Sequence, residues 1–302
     1  MSSEEPKNAS YLHVIQPQLL VWVLLTNSIG VGLVKHQGGT LDWVNILFGS
    51  LLGVFLILMR SYLSAFFDHP TSPTGTLHSD DPRYAMLKSM DRQTLLVIAM
   101  TLLTAGALVT VLLMVRHSLN LSALFMLGLA FLISFFGATP PLRLDKRGYG
   151  EVGEAILICN LVPAIGYLLN EPGLHVLLIM LTLPITLLYL ALKIVQSLET
   201  YAFDRTHRVQ SMVVRLDWLR AMQTHNYLVL FAFLFVAVFA VLGQPWSLTW
   251  PMFLPLLIGT FQIIQIQGII NGAPPRWKVL KLTAAGTFVV MAYLVSFTLW
   301  IT

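Results

Sequence analysis

Apolar residues run along this chain in nine long blocks, at 16–34, 43–67, 94–115, 118–138, 152–169, 174–196, 226–244, 248–271 and 279–301. A helix crossing the hydrocarbon of a bilayer needs about 20 such residues. Barrel strands are about half as long and alternate strictly in polarity. These blocks run through leucine and β-branched residues without alternation. The pattern predicts an all-α polytopic bundle of nine transmembrane helices, a single integral-membrane domain over 1–302. The opening residues, MSSEEPKNAS, lack the basic start of a signal peptide, so the first block is read as a helix rather than a leader.

The polar segments between blocks alternate in length. Segments 35–42, 116–117, 170–173 and 245–247 are short; 68–93, 139–151, 197–225 and 272–278 are mostly long. Of the 18 Lys and Arg, 14 fall on the long-loop side, Lys35 and Arg116 on the other, and Arg60 and Lys193 inside blocks. The positive-inside rule makes the long loops cytoplasmic, with the N-terminus on their side and the C-terminus opposite. The expected location is a cell or inner membrane.

Composition narrows the function classes. The chain is 56% hydrophobic and only 11% charged, with a mean hydropathy of +0.76. Soluble domains carry roughly 25% charged residues, so a soluble enzyme and a disordered chain are excluded. The single cysteine, Cys159, rules out a disulfide scaffold. A net charge of +4 resembles a nucleic-acid signal. In a membrane protein it reflects topogenic loop charges, and no nucleic-acid partner is expected. Transporters commonly bury ionisable groups near the midplane on interrupted helices. Here polar residues crowd where helices leave the membrane, which suits chemistry on a water-soluble head group attached to an apolar tail.

Two helix ends repeat one pattern. Ser61, Ser64 and Asp68 close the second block; Ser197, Thr200 and Asp204 follow the sixth at the same spacing. Offsets of three and seven share a helical face. Each Asp sits in a Phe-Asp-basic step, Phe67-Asp68-His69 and Phe203-Asp204-Arg205. Four spans separate the copies, so both enter their loops in one direction, as a parallel pseudo-repeat. The plainer reading of each Asp is a solvated residue at a helix end. Between them lies Pro140-Pro141-Leu142-Arg143-Leu144-Asp145-Lys146-Arg147-Gly148-Tyr149-Gly150-Glu151. The prolines end a helix. The three cations suit a diphosphate, or equally a lipid headgroup.

That segment resembles the loop between the fourth and fifth helices of the UbiA prenyltransferase superfamily. The nine-span layout is similar too, as is Gln16-Pro17, where the family often has Arg-Pro. The similarity covers essentially the whole chain. It implies an intramembrane bundle that moves a prenyl chain from its diphosphate to a lipophilic acceptor, commonly an aromatic ring. It also implies magnesium held by two Asp-rich motifs after helices two and six, where the two repeats lie. Prenyl diphosphate, the acceptor and membrane lipids are the implied partners.

Residue by residue the carry-over is partial. Against N-D-x-x-D-x-x-x-D this chain has Ser64, Ala65, Asp68 and Ser72; against D-x-x-x-D it has Thr200 and Asp204. Gly137 stands where a tyrosine often precedes the Pro-Pro step. The resemblance makes Asp68 and Asp204 the catalytic and metal-binding carboxylates, with Ser64 and Thr200 as weak neutral donors. Arg143, Lys146 and Arg147 would take phosphate oxygens, joined by Lys193, whose burial is costly unless it faces a cavity. Glu199 is a further candidate ligand, though it lies about 140° around the helix from Asp204. So are Asp80 and Asp81, which otherwise begin a short helix with Pro82 at its first position. Phe66, Phe67, Tyr201 and Phe203 would shield an allylic cation or pack helices. Arg60 is read as snorkelling. His69, His78, His207 and His225 are dispersed loop residues with no metal-site pairing. Alternative functions are a non-catalytic UbiA-like protein that binds a prenyl lipid or membrane partner, and a transporter or unrelated bundle.

Overall fold

A computed structural model describes residues 14, 16–72, 82–207 and 209–302. The helices in chain order are α1 (Pro17–His36), α2 (Trp43–Asp68), α3 (Pro82–Lys88), α4 (Arg92–Val115) and α5 (Leu121–Ala138). They continue as α6 (Gly150–Leu168), α7 (Val176–Thr206), α8 (Met212–Leu216), α9 (Trp218–Val241), α10 (Trp246–Ile270) and α11 (Trp277–Ile301). Among the described residues nine helices, all but α3 and α8, are long and apolar enough to cross a membrane. The chain is a multi-pass membrane protein, as its hydropathy pattern requires.

Local chemistry sets the helix starts. Asp42 accepts from the Val44 N–H at 2.8 Å, and Asn120 from the Ala123 N–H at 2.7 Å. Asp91 accepts from the N–H groups of Gln93 and Thr94. Each satisfies amide donors that have no partner within the helix. Pro82 opens α3, as its spacing predicts; Asp80 and Asp81 lie outside the described residues.

Contacts gather the short loops at one end. Arg116 pairs with Asp42 at 2.7 Å, and the Asn120 side chain donates to the Leu168 carbonyl at 2.8 Å. Lys35 reaches the Trp300 carbonyl, and His36 meets Thr302. The ends of α1 and α11 therefore share the short-loop side, and the long loops share the other. One boundary differs from the hydropathy reading. The sixth block closes at 196, yet α7 continues to Thr206; α9 begins at Trp218 rather than 226. The expected loop 197–225 shrinks to 207–217 and holds α8. Hydropathy reports how much of a helix lies in hydrocarbon, and α7 and α9 continue as polar helix beyond it.

In the bundle α1 packs on α2, α6 and α11, while α7 packs on α6, α9 and α11. At its centre Trp22, Tyr189 and Phe288 meet edge-on, with ring centroids 5.1–5.5 Å apart. Backbones of α1 and α6 touch: a Cβ at Gly30 would sit 1.9 Å from the Pro163 carbonyl oxygen. Pro163 also shapes α6. Its ring crowds the carbonyl four residues back, and the helix widens into a π-turn over Leu157–Leu161.

Candidate active site

The last turns of α2 face a cavity of about 350 Å³. Ser61, Ser64 and Asp68 all line it, so the first repeat presents one face as its spacing demands. Leu19, Ile57, Ala65, Met86 and Leu87 supply apolar wall. Gln16, Arg60, Asp145 and Glu154 complete the polar part. A cavity of this size, apolar with a few convergent polar groups, fits a small lipid-like ligand.

The basic loop closes onto Asp68. That carboxylate is 3% exposed. Arg143 reaches one oxygen at 2.5 Å and Lys146 the other at 2.8 Å. Arg143 takes a left-handed backbone, φ 37°, which turns the chain out of the Pro-Pro step and into the short turn Leu144–Lys146. A Cβ at Gly150 would meet Asp145 Oδ1 at 2.4 Å, so the turn folds tightly onto the start of α6. Arg147 is placed differently. It is exposed, donates to the Pro141 carbonyl at 2.9 Å and does not line the cavity.

Arg60 corrects the snorkelling expectation. It is 6% exposed, is paired with Asp145, and donates to the Gly150 carbonyl at 3.0 Å. Its Nη1 is buried without a hydrogen-bond partner. The guanidinium lies over Gly137, where a Cβ would be 3.2 Å from Nε. The absence of a side chain at 137 makes room for Arg60. Deeper, Lys193 pairs with Glu154 at 2.7 Å, and the Tyr189 hydroxyl donates to the same carboxylate at 2.5 Å. Lys193 thus meets the cavity through Glu154.

The second repeat is more open. Thr200 is exposed and its hydroxyl donates to half-buried Asp204 at 3.2 Å. Neither lines the cavity beside Asp68. Glu199 turns away and pairs with Lys281 at 2.5 Å, both side chains 38% exposed. The aromatic residues pack locally: Phe66 on Phe67 and under Arg92, Tyr201 on Trp218, Phe203 on His207. His225 is not a loop residue. It is buried within α9 and meets Gln262 at 3.1 Å. His69 contacts Thr71 and the Met90 carbonyl. His78 lies outside the described residues.

Magnesium takes an octahedron of oxygens and usually keeps one or two carboxylates. At the mouth, both oxygens of Asp68 already face cations, and Ser64 and Ser72 are neutral. Among the described residues no three His, Cys, Asp or Glu side chains converge as metal ligands. The described donors at the mouth do not by themselves form a magnesium cage.

Sequence reasoning passed over Asp145 and Glu154. Their signal was the unpaired cations themselves. An Arg and a Lys inside spans each require a nearby carboxylate, and the basic loop together with the first turns of α6 was the segment able to supply both.

No family model matches this chain, and no curated protein does. Solved structures do. A UbiA homologue from Archaeoglobus fulgidus bound to GPP and Mg2+ has a TM-score of 0.60 at 14% identity, over 95% of this chain and 99% of that one. The same homologue is also known bound to DMAPP and Mg2+ and bound to Cd2+. The apo UbiA homologue from Aeropyrum pernix gives 0.59 at 13%, over 92% and 96%. A digeranylgeranylglyceryl phosphate synthase in membranes gives 0.63 at 16%, over 97% of each chain. At these identities the likeness shows the fold.

Proposed function

We propose that this chain, which has the UbiA fold, belongs to the UbiA prenyltransferase superfamily and moves a prenyl chain from its diphosphate to a lipophilic or aromatic acceptor. The observation that carries the reading is the cavity at the end of α2, apolar on one side and lined by Arg60 and Asp68 on the other, with Arg143 and Lys146 paired to Asp68 behind its lining. A prenyl diphosphate has the same two halves. Its head is a polyanion that guanidinium and ammonium groups recognise through charge-assisted hydrogen bonds. Its tail is hydrocarbon, which the Leu19, Ile57 and Met86 wall removes from water.

In the transfer, the C1–O bond to the diphosphate breaks. The acceptor's nucleophilic atom bonds to C1, and the acceptor proton leaves to solvent at the polar mouth. Arg143 and Lys146 are placed to neutralise the charge that develops on the departing diphosphate. The excess of cations on the long-loop side supports a cytoplasmic mouth.

The test is turnover of geranyl and geranylgeranyl diphosphate by the full chain in nanodiscs, with a panel of quinol, phenol and glycerol-phosphate acceptors, read as prenylated product by mass spectrometry. Product above an Arg143→Gln, Lys146→Gln control supports the proposal. Absence of both binding and product refutes it. Ala65, Ser72 and Thr200 in place of motif acids favour a second reading, a prenyl-lipid-binding protein without catalysis. Tight binding with no product from any acceptor would establish that reading instead.

A further inference from the structure

The mouth of the cavity carries an electrostatic arrangement unlike a metal–diphosphate site. Such a site gathers carboxylates to hold a cation, and the cation then holds phosphate. Here the pairs are Asp68 with Arg143 and Lys146, Asp145 with Arg60, and Glu154 with Lys193. Among the described residues these pairs set four cations against three carboxylates. A surplus of positive charge repels a free divalent cation and attracts a polyanion. Among the described pairs the surplus lies at the mouth, where Asp68 faces two cations.

Three further observations agree. Both Asp68 oxygens are engaged by cations, whose charge opposes a metal ion at the same carboxylate. The positions that flank Asp68 in the motif are Ser64 and Ser72, and Ser72 lies 3.5 Å from the Arg92 guanidinium. Arg60 lines the cavity with Nη1 buried and unpartnered. A buried donor of that kind is costly unless something accepts from it.

We infer that this chain binds the diphosphate of a prenyl donor through its own cations, Arg143, Lys146 and Arg60, in place of a bound divalent metal, and that Asp68 is the counter-ion that positions two of them. The inference rests on the prenyl-diphosphate reading above. In the empty site Asp68 neutralises the pair. When the ligand arrives, its oxygens accept from the remaining N–H groups of Arg143 and Lys146, and Asp68 stays paired with both cations. Arg60, which lines the cavity, is the third cation. Its room comes from Gly137.

The experiment is a calorimetric titration of the full chain in nanodiscs with geranyl S-thiolodiphosphate, a donor analogue that does not turn over. It is run in excess EDTA and in millimolar magnesium. The expected Kd values agree within about threefold, less than the tenfold step worth about 1.4 kcal/mol. Asp68→Asn separates the roles. It removes the competing counter-charge, so affinity in EDTA is expected to hold or to rise by up to about tenfold. Lys146→Gln is expected to weaken binding about tenfold in both buffers.

A requirement for magnesium of tenfold or more, with Asp68→Asn losing binding only in magnesium, overturns the inference and leaves the proposed function standing. Loss of binding in both buffers by Asp68→Asn, in a variant that elutes as the parent does, also overturns it. If the parent binds in neither buffer, the inference and the proposed function fall together.

Discussion

Glu154→Gln probes the deepest part of the polar network, because Glu154 alone links Lys193 and Tyr189 to the cavity. The Lys193 and Glu154 side chains are 11% and 15% exposed and lie 2.7 Å apart. Removing one member of a buried pair strands the other charge, at a cost of about 3–5 kcal/mol. The Tyr189 hydroxyl still finds an oxygen on glutamine, so its bond of about 1 kcal/mol is retained. Arg60 keeps Asp145. The expected loss is therefore near the lower limit, about 3 kcal/mol. Deleting both charges, Glu154→Met with Lys193→Met, leaves no stranded ion, and the double variant is expected within about 1 kcal/mol of the parent. The assay is reversible unfolding in mixed micelles titrated with SDS and followed by tryptophan fluorescence. A single-variant loss below about 0.5 kcal/mol, the range of an exposed pair, would refute the reasoning. So would a double variant no more stable than the single.

Other perturbations have different readouts. Gly30→Ala forces a methyl into the Pro163 carbonyl and is expected to cost about 3 kcal/mol or more in the same unfolding assay. Glu199→Gln breaks a pair that is 38% exposed on both sides, so after discounting for solvent the loss should stay under about 0.5 kcal/mol. Trp22→Ala opens the three-ring centre one turn beyond Leu19; competition binding should show the preferred prenyl diphosphate shifting to a longer chain by roughly tenfold in relative affinity. Asp91 has its pKa lowered below 3.8 by hydrogen bonds from Thr94 and Gln93. Its contribution is complete above the unfolded value and lost as pH falls through the lower folded one. Amide exchange at the start of α4 should accelerate only in that acid window, and Asp91→Asn should abolish the dependence.

How far the chain could be read in advance depended on distance along it. The spans were legible because burial in hydrocarbon is written locally, in runs of about 20 residues. The shared face of Ser61, Ser64 and Asp68 was legible because helical spacing fixes it within two turns. Arg60 was not, because the carboxylate that holds it lies 85 residues away and nothing near Arg60 announces it. Glu199 misled for the opposite reason. Its closeness to Asp204 in sequence suggested a shared site, whereas its partner Lys281 is 82 residues distant. The length of α7 escaped because its last ten residues remain helical after their hydropathy has fallen.

The pairing of Arg60 with Asp145 also bears on how the protein is made. Translation delivers α2 to the bilayer long before Asp145 leaves the ribosome, since 85 residues separate the two. During that interval the nascent helix carries an arginine with no counter-charge, and an arginine at the centre of an inserting helix costs about 2.5–3.5 kcal/mol. Arg60 stands two turns from the end of α2, where a guanidinium can still extend into the headgroups. The newborn helix is therefore expected to sit with that end raised toward water and to settle when the loop after α5 arrives, so that insertion is followed by descent. A ribosome-stalled chain ending before Asp145 should leave a cysteine placed at Leu63, which is buried away from the cavity in the folded chain, open to a water-soluble maleimide, and the completed chain should protect it.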